Sequence, residues 1–250
     1  MLHIITPVYR FELLSMVHES IPNRNDIRWH LSLAKKRGIP DEKFIKEDKR
    51  VILHIIDCSD QDTVSKRNAV FENIKDGYFY MLDDDTIFVE EVYTIYKEHS
   101  IKMFKGLILG NQSINDQIRH PSYPLSEDPN KVNVDTGMAI ASSDVLEHVK
   151  FSWTKPGENF GRDFLFWSKC YAYFGDDNVI YLDRIISKYN YLDSFVKKRI
   201  ITQIRIEKRI GTIKVFYLNL DIYNRTLAKI YDSFTYTYNS IKSFIARIKK

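Results

Sequence analysis

An α/β fold, with a mostly parallel central sheet and helices on both faces, is predicted by three observations. Short apolar and aromatic runs alternate with helix-like stretches through the first three-quarters of the 250 residues. Several of these runs end in polar residues at what would be the carboxyl edge of such a sheet, where open α/β sheets carry their ligands. With 44% apolar residues and only nine Gly and seven Pro, the composition is that of a packed globular chain rather than a disordered one.

The elements follow in order. Residues 2–8 read as a strand that stops near Pro7, because proline lacks the N–H a ladder needs. A helical stretch over 10–19 leads to a second strand at 27–33. Residues 51–57 (VILHIID) form a third, and 60–74 a helix with Val64, Ala69, Val70, Phe71 and Ile74 near one face. Residues 78–82 (YFYML) are a fourth strand, followed by a helix over 89–99 and a short strand at 107–109. Residues 114–130 are rich in Pro, Ser and Asn and read as a long loop, a feature often tied to function. A strand at 132–141, a helix capped by Ser142 or Ser143 and running to Lys150, a helix over Arg162–Phe174 and a strand at 179–182 complete the domain, set at 1–192.

Residues 193–250 differ. From 195 onward, 13 basic residues stand against three acidic ones, a charge of about +10, whereas the rest of the chain carries about −6. The segment reads as two or three basic amphipathic helices with interspersed tyrosines. It either packs on the domain with solvated charges or lies on an anionic membrane surface. Two distant cysteines, Cys58 and Cys170, form no zinc or disulfide framework and suit a reducing cytoplasm. The first residues lack a signal-peptide pattern, and no run reaches the roughly 18 apolar residues of a membrane span. A cytoplasmic protein, peripheral on the inner face of the membrane if its tail binds there, is the expectation.

Asp83-Asp84-Asp85 stands directly behind the strand at 78–82. One aspartate there would be a helix cap. Three place repelling charges at a sheet edge, which a cation or hydrogen-bond donors must compensate.

The stretch Ile4-Ile5-Thr6-Pro7-Val8-Tyr9-Arg10, the helical Lys66-Arg67-Asn68-Ala69-Val70, the strand ending in Asp83–Asp85, the run Val134–Ala139 and the segment Glu158–Trp167 (ENFGRDFLFW) occur in an order that resembles GT-A fold nucleotide-sugar glycosyltransferases. The likeness is to the inverting family two type, with similarity to the β-1,3-glucuronyltransferase group, and covers about residues 1–185. It implies a Rossmann-like GT-A domain moving a sugar from a UDP donor to a glycan or lipid-linked glycan, in surface polysaccharide or lipooligosaccharide synthesis. Asp85, with Asp83, would hold Mn²⁺ or Mg²⁺, whose charge offsets that growing on the departing diphosphate. Thr6, Pro7, Tyr9, Arg10, Asp57, Arg67, Asp83 and Asp84 would bind the donor, Pro7 and Tyr9 walling the base, Arg67 reaching the base or diphosphate, and Asp83 and Asp84 holding the ribose or completing the metal's water shell. Asp135, Gly137 and Arg162 would face the donor sugar or acceptor. Asp163, or alternatively Glu158, would take the acceptor proton. Relatives usually carry an acid at the end of the second strand, where this chain reads Leu31-Ser32-Leu33-Ala34-Lys35.

Other classes fit less well. A haloacid dehalogenase-type phosphatase needs Thr or Val where Ile87 stands. A nucleotidyltransferase needs glycines after the first strand, and a P-loop is missing. A non-enzymatic nucleic-acid binder would rest on the basic tail alone, beside an acidic domain without such motifs.

Overall fold

The computed structural model describes residues 1–122, 134–153 and 162–192, with the side chain of Arg162 excepted. The chain alternates β1 (Leu2–Pro7), α1 (Leu14–Ser20), β2 (Ile27–Ala34), α2 (Lys43–Glu47), β3 (Val51–Ile56), α3 (Thr63–Phe71), β4 (Tyr78–Met81), α4 (Glu90–Ile101), β5 (Leu107–Ile114), β6 (Gln117–Arg119), β7 (Ala139–Ser142), α5 (Arg162–Phe174) and β8 (Val179–Lys188).

One sheet runs in the order β3-β2-β1-β4-β7-β5-β6, with β8 on β5. The first four strands are mutually parallel, and so are β5 and β8; β7 and β6 run against their neighbours. The tips of β1 and β4 therefore point the same way. Ile5 pairs with Met81 near the end of the ladder, which brings Tyr9 and Asp84 together just beyond it.

Side-chain alternation splits the core into two layers. Leu2, Ile4, Trp29, Leu31, Tyr78 and Tyr80 pack against α1 and α4 on one face. Ile5, Phe79, Met81, Leu107 and Leu109 pack against α3 and α5 on the other. Beneath α5 the rings are layered: Phe79 stacks on Trp167 with centroids 5.8 Å apart, and Phe151 on Phe166 at 4.1 Å. Such contacts stabilise by roughly 1 kcal/mol each beyond area burial. They fix α5 so that its first turn, carrying Asp163, projects to the carboxyl edge of the sheet.

The sequence reading and the fold diverge in several places, among them β8, expected at 179–182 and found over Val179–Lys188. β5 extends to Ile114, because its polar half pairs with both β6 and β8 and places Asn111 and Gln112 inside the sheet. The loop expected from 114 onward accordingly begins with a hairpin. β7 starts only at Ala139, since Asp135 accepts the Thr136 N–H and winds Thr136–Met138 into a 3₁₀ turn. The capped helix expected after it is a short 3₁₀ segment, Ser143–Glu147, without a side-chain cap. The five-residue α2 was too short to signal; Phe44 of this helix stacks on Trp29 at 5.6 Å. Among the described residues no helix is long and apolar enough to cross a membrane. The segment 193–250 lies outside the described residues.

Candidate active site

Strand β4 ends under the acidic triplet, and the Thr86 N–H closes a turn onto the Asp83 carbonyl. This turn fans the three carboxylates in different directions. Asp84 points inward and is 2% exposed. Its Oδ2 accepts the backbone N–H groups of Tyr9 and Arg10, the latter at 2.7 Å, and its Oδ1 takes Arg10 Nη1 at 3.1 Å. Asp84 thus clamps the β1–α1 loop to the end of β4. Burial pushes its carboxyl up to about 6, against the opposing pull of Arg10 and the two backbone donors. Asp85 meets the same Arg10 nitrogen at 2.5 Å.

Asp83 turns the other way, toward α3 and α5. Its carboxyl is pushed up to about 8, first by desolvation, with Asp135, Asp85 and Asp163 adding repulsion that Arg67 offsets. The side chain keeps 41% exposure. It opens into a narrow gap, so enclosure by protein atoms rather than loss of all contact with solvent sets the direction of its shift.

Arg67 links the halves of the site. It is buried, with Nη1 donating to Asp163 Oδ1 at 2.5 Å and Nη2 reaching Thr136 Oγ1 at 3.2 Å and Asp83 Oδ1 at 3.4 Å. Its guanidinium lies 4.7 Å from the Phe151 ring centre. The Asn68 side chain holds both the N–H and the C=O of Phe151. Thr136 Oγ1 donates to Asp163 Oδ2 at 2.6 Å, so both oxygens of that carboxylate are oriented. Asp135 extends the polar floor, taking Gln112 Nε2 at 3.1 Å and Arg119 Nη1 at 3.5 Å. Gln112 in turn lies 3.3 Å from Ser187 Oγ.

Asp83, Asp85, Gln112, Gly137 and Ser187 share a gap of about 10 Å³, the room of one water molecule. A Cβ on Gly137 would lie 2.6 Å from Ser187 Oγ, so only glycine keeps this gap in its present form. Among the described residues no group of three or more His, Cys, Asp or Glu side chains converges on a metal position. Catalytic Mg²⁺ sites need only one or two carboxylates completed by substrate phosphates. Two carboxylates on a shared gap, with an arginine nitrogen already on one of them, fit a hard divalent cation of that kind.

Not every residue singled out in the sequence reaches this floor. Thr6 is fully buried and accepts the indole N–H of Trp29 at 2.9 Å, and Pro7 is buried beside it. Both build the sheet rather than wall a cleft, because they still belong to the β1 ladder. Tyr9 is half-buried; Lys66 Nζ lies 3.9 Å over its ring, and its hydroxyl pairs with Thr63. Asp57 is exposed at the tip of edge strand β3 and takes no part in this hydrogen-bond network. Glu158 and the Arg162 side chain lie outside the described residues. Thr136, Gln112, Arg119 and Ser187 were not foreseen. Thr136 sits inside the quoted run Val134–Ala139, whereas Gln112 and Ser187 are ordinary polar residues until β5 and β8 pair.

The mostly parallel central sheet and its flanking helices make the GT-A glycosyltransferase fold. No protein family and no curated protein matches the sequence. Solved structures of S. aureus TarS share the fold. The fragment TarS 1-349 aligns with a TM-score of 0.58 at 11% identity, over 75% of this chain and 59% of that one. TarS 1-349 in complex with UDP aligns at 0.55 and 13% identity, over 75% and 59%. The UDP-GlcNAc complex aligns at 0.54 and 12% identity, over 75% and 57%. The chain therefore spans less than two thirds of these TarS fragments.

Proposed function

We propose that this protein is a nucleotide-sugar glycosyltransferase, moving a sugar from a UDP donor to a hydroxyl of a glycan or lipid-linked glycan with inversion. The observation that carries this reading is the meeting of Asp83 and Asp85 with the Arg67–Asp163 pair at one sheet edge, in a fold shared with a protein solved with UDP and UDP-GlcNAc.

In this reading Asp85 and Asp83 hold Mn²⁺ or Mg²⁺, which supplies positive charge to the diphosphate leaving group. The Arg10 guanidinium, at the rim, adds a planar donor suited to phosphate oxygens. Asp163 takes the proton of the attacking hydroxyl. Arg67 and Thr136 leave each of its oxygens with lone pairs while fixing its plane, which suits a positioned base. Arg67 thereby serves to orient Asp163 and Asp83 rather than to reach the diphosphate. The segment 193–250 would bring the domain to an anionic membrane; equal vesicle flotation of the full chain and a 1–192 truncation would remove that part.

The test of the main reading is a thermal-shift screen of nucleotide sugars with and without Mn²⁺. A specific ligand raises the midpoint by mass action. One UDP-sugar should do so only with metal, and Asp85→Ala should abolish the shift. No shift with any nucleotide sugar would count against the proposal.

A further inference from the structure

We propose that Arg10 is a built-in counter-cation that occupies the acidic tip in the nucleotide-free protein and is exchanged for the divalent metal when the donor arrives. This deepens the preceding reading and rests on it. One guanidinium nitrogen, Arg10 Nη1, bridges two carboxylates, 3.1 Å from Asp84 Oδ1 and 2.5 Å from Asp85 Oδ2. A single positive atom between two carboxylates is the arrangement a bound cation would make.

The two carboxylates hold Arg10 differently. Asp84 is also tied to the backbone N–H groups of Tyr9 and Arg10, so it stays engaged wherever the Arg10 side chain goes. Asp85 is held at its backbone instead: its carbonyl accepts the Leu192 N–H at 2.8 Å, while its carboxylate faces Arg10 and the ion-sized gap. The Asp85 side chain is 9% exposed and that of Arg10 37%. The arginine is the more exposed member of the pair, on the solvent side of the carboxylates.

Two consequences follow. Metal alone must displace an arginine from Asp85. Metal arriving with a diphosphate gives that arginine a new anionic partner of matching fork geometry. Metal and nucleotide therefore bind with positive coupling, which is reciprocal by linkage, and Arg10 is the residue that couples them. The device also keeps the triplet compensated between turnovers, when bare carboxylates would repel.

The experiment is a Mn²⁺ titration of the full chain, followed by the electron paramagnetic resonance signal of free Mn²⁺, with and without UDP. Wild type should bind Mn²⁺ about tenfold more tightly with UDP than without, the coupling of roughly one elementary charge at short range. Arg10→Gln should bind Mn²⁺ about tenfold more tightly than wild type in the absence of UDP and lose most of the UDP effect. Arg10→Lys, which keeps the charge but not the fork, should fall between them. Asp85→Asn should abolish binding. If wild type binds Mn²⁺ with UDP but Arg10→Gln alone binds no more tightly than wild type, the exchange is wrong while the metal reading stands. If wild type binds no Mn²⁺ even with UDP, the metal reading fails and the exchange falls with it.

Discussion

The guanidinium of Arg67 meets the carboxylate of Asp163 at 2.5 Å, across 96 positions of sequence. The pair joins the first turn of α5 to the middle of α3, and the same guanidinium reaches Asp83 at the tip of β4. Three elements are registered by one buried cation.

Removing that cation leaves Asp83 and Asp163 facing each other without compensation. Both carboxylates keep some contact with solvent, so losing their charged donor costs about 1–3 kcal/mol rather than the full penalty of a buried orphan charge. Arg67→Ala should lower unfolding stability by that order in a urea titration. Arg67→Lys should recover only part of it, because a point charge cannot serve Asp163, Thr136 and Asp83 together. A loss below about 1 kcal/mol for Arg67→Ala would show that the pair is not structural.

Thr6 and Trp29 give a test of what the β1 tip is for. Thr6→Val keeps the shape and strands the indole N–H, so stability should fall by about 1–3 kcal/mol. The thermal shift produced by a UDP-sugar should keep its size. A variant with unchanged stability and a lost shift would return Thr6 to the donor site.

Gly137→Ala places a methyl group against Ser187 and 3.3 Å from the Tyr80 hydroxyl. The crowding should cost about 1–3 kcal/mol. Ser187→Gly should relieve much of it in the double variant, and the coupling measured by the four-protein cycle checks the contact.

Three histidines form a hydrogen-bonded row across β1, β2 and β3. The Asp76 carbonyl can only accept, so His3 Nε2 carries a proton and donates to it at 3.1 Å. His3 Nδ1 is then an acceptor, and His30 Nε2–H donates to it at 2.9 Å. By the same logic His54 Nε2–H donates to His30 Nδ1 at 2.9 Å. With these tautomers all three bonds of the row are made by neutral rings, so no charge has to be buried. Burial pushes His30 down to about 3 and His3 to about 4, with the neighbouring imidazoles, Arg28 and the chain amine adding to burial. The folded state then binds fewer protons than the unfolded chain between these values and 6.5, so this contribution to stability is complete above pH 6.5 and is lost as pH falls below it. The raised carboxyls of Asp83 and Asp84 act in the opposite sense. The comparison is therefore with His30→Leu: the wild-type stability minus that of the variant should fall by about 1.4 kcal/mol per pH unit below 6.5. A pH-independent difference would mean that His30 is charged in the fold.

Much of the architecture was legible in the sequence because burial writes a period. The apolar runs of β1, β3 and β4 and the pattern of α5 appear at the expected places, and α5 at the expected bounds. The polar half of β5 was not legible. Asn111 and Gln112 look like loop residues, and only their pairing with β6 and β8 makes them strand. The acidic triplet was visible as a charge cluster, but its division of labour was not. Asp84 as clamp, Asp85 as partner of Arg10 and Asp83 as neighbour of Arg67 follow from a turn that sends three successive side chains in three directions.

By itself the sequence determined which segments are buried and that excess negative charge gathers behind one strand, since both depend on neighbours along the chain. Which cation answers each charge was decided only by the tertiary structure. Arg10, Arg67 and Asp163 reach the triplet from elements far apart in sequence, and Coulomb's law acts through space without regard to the path of the backbone.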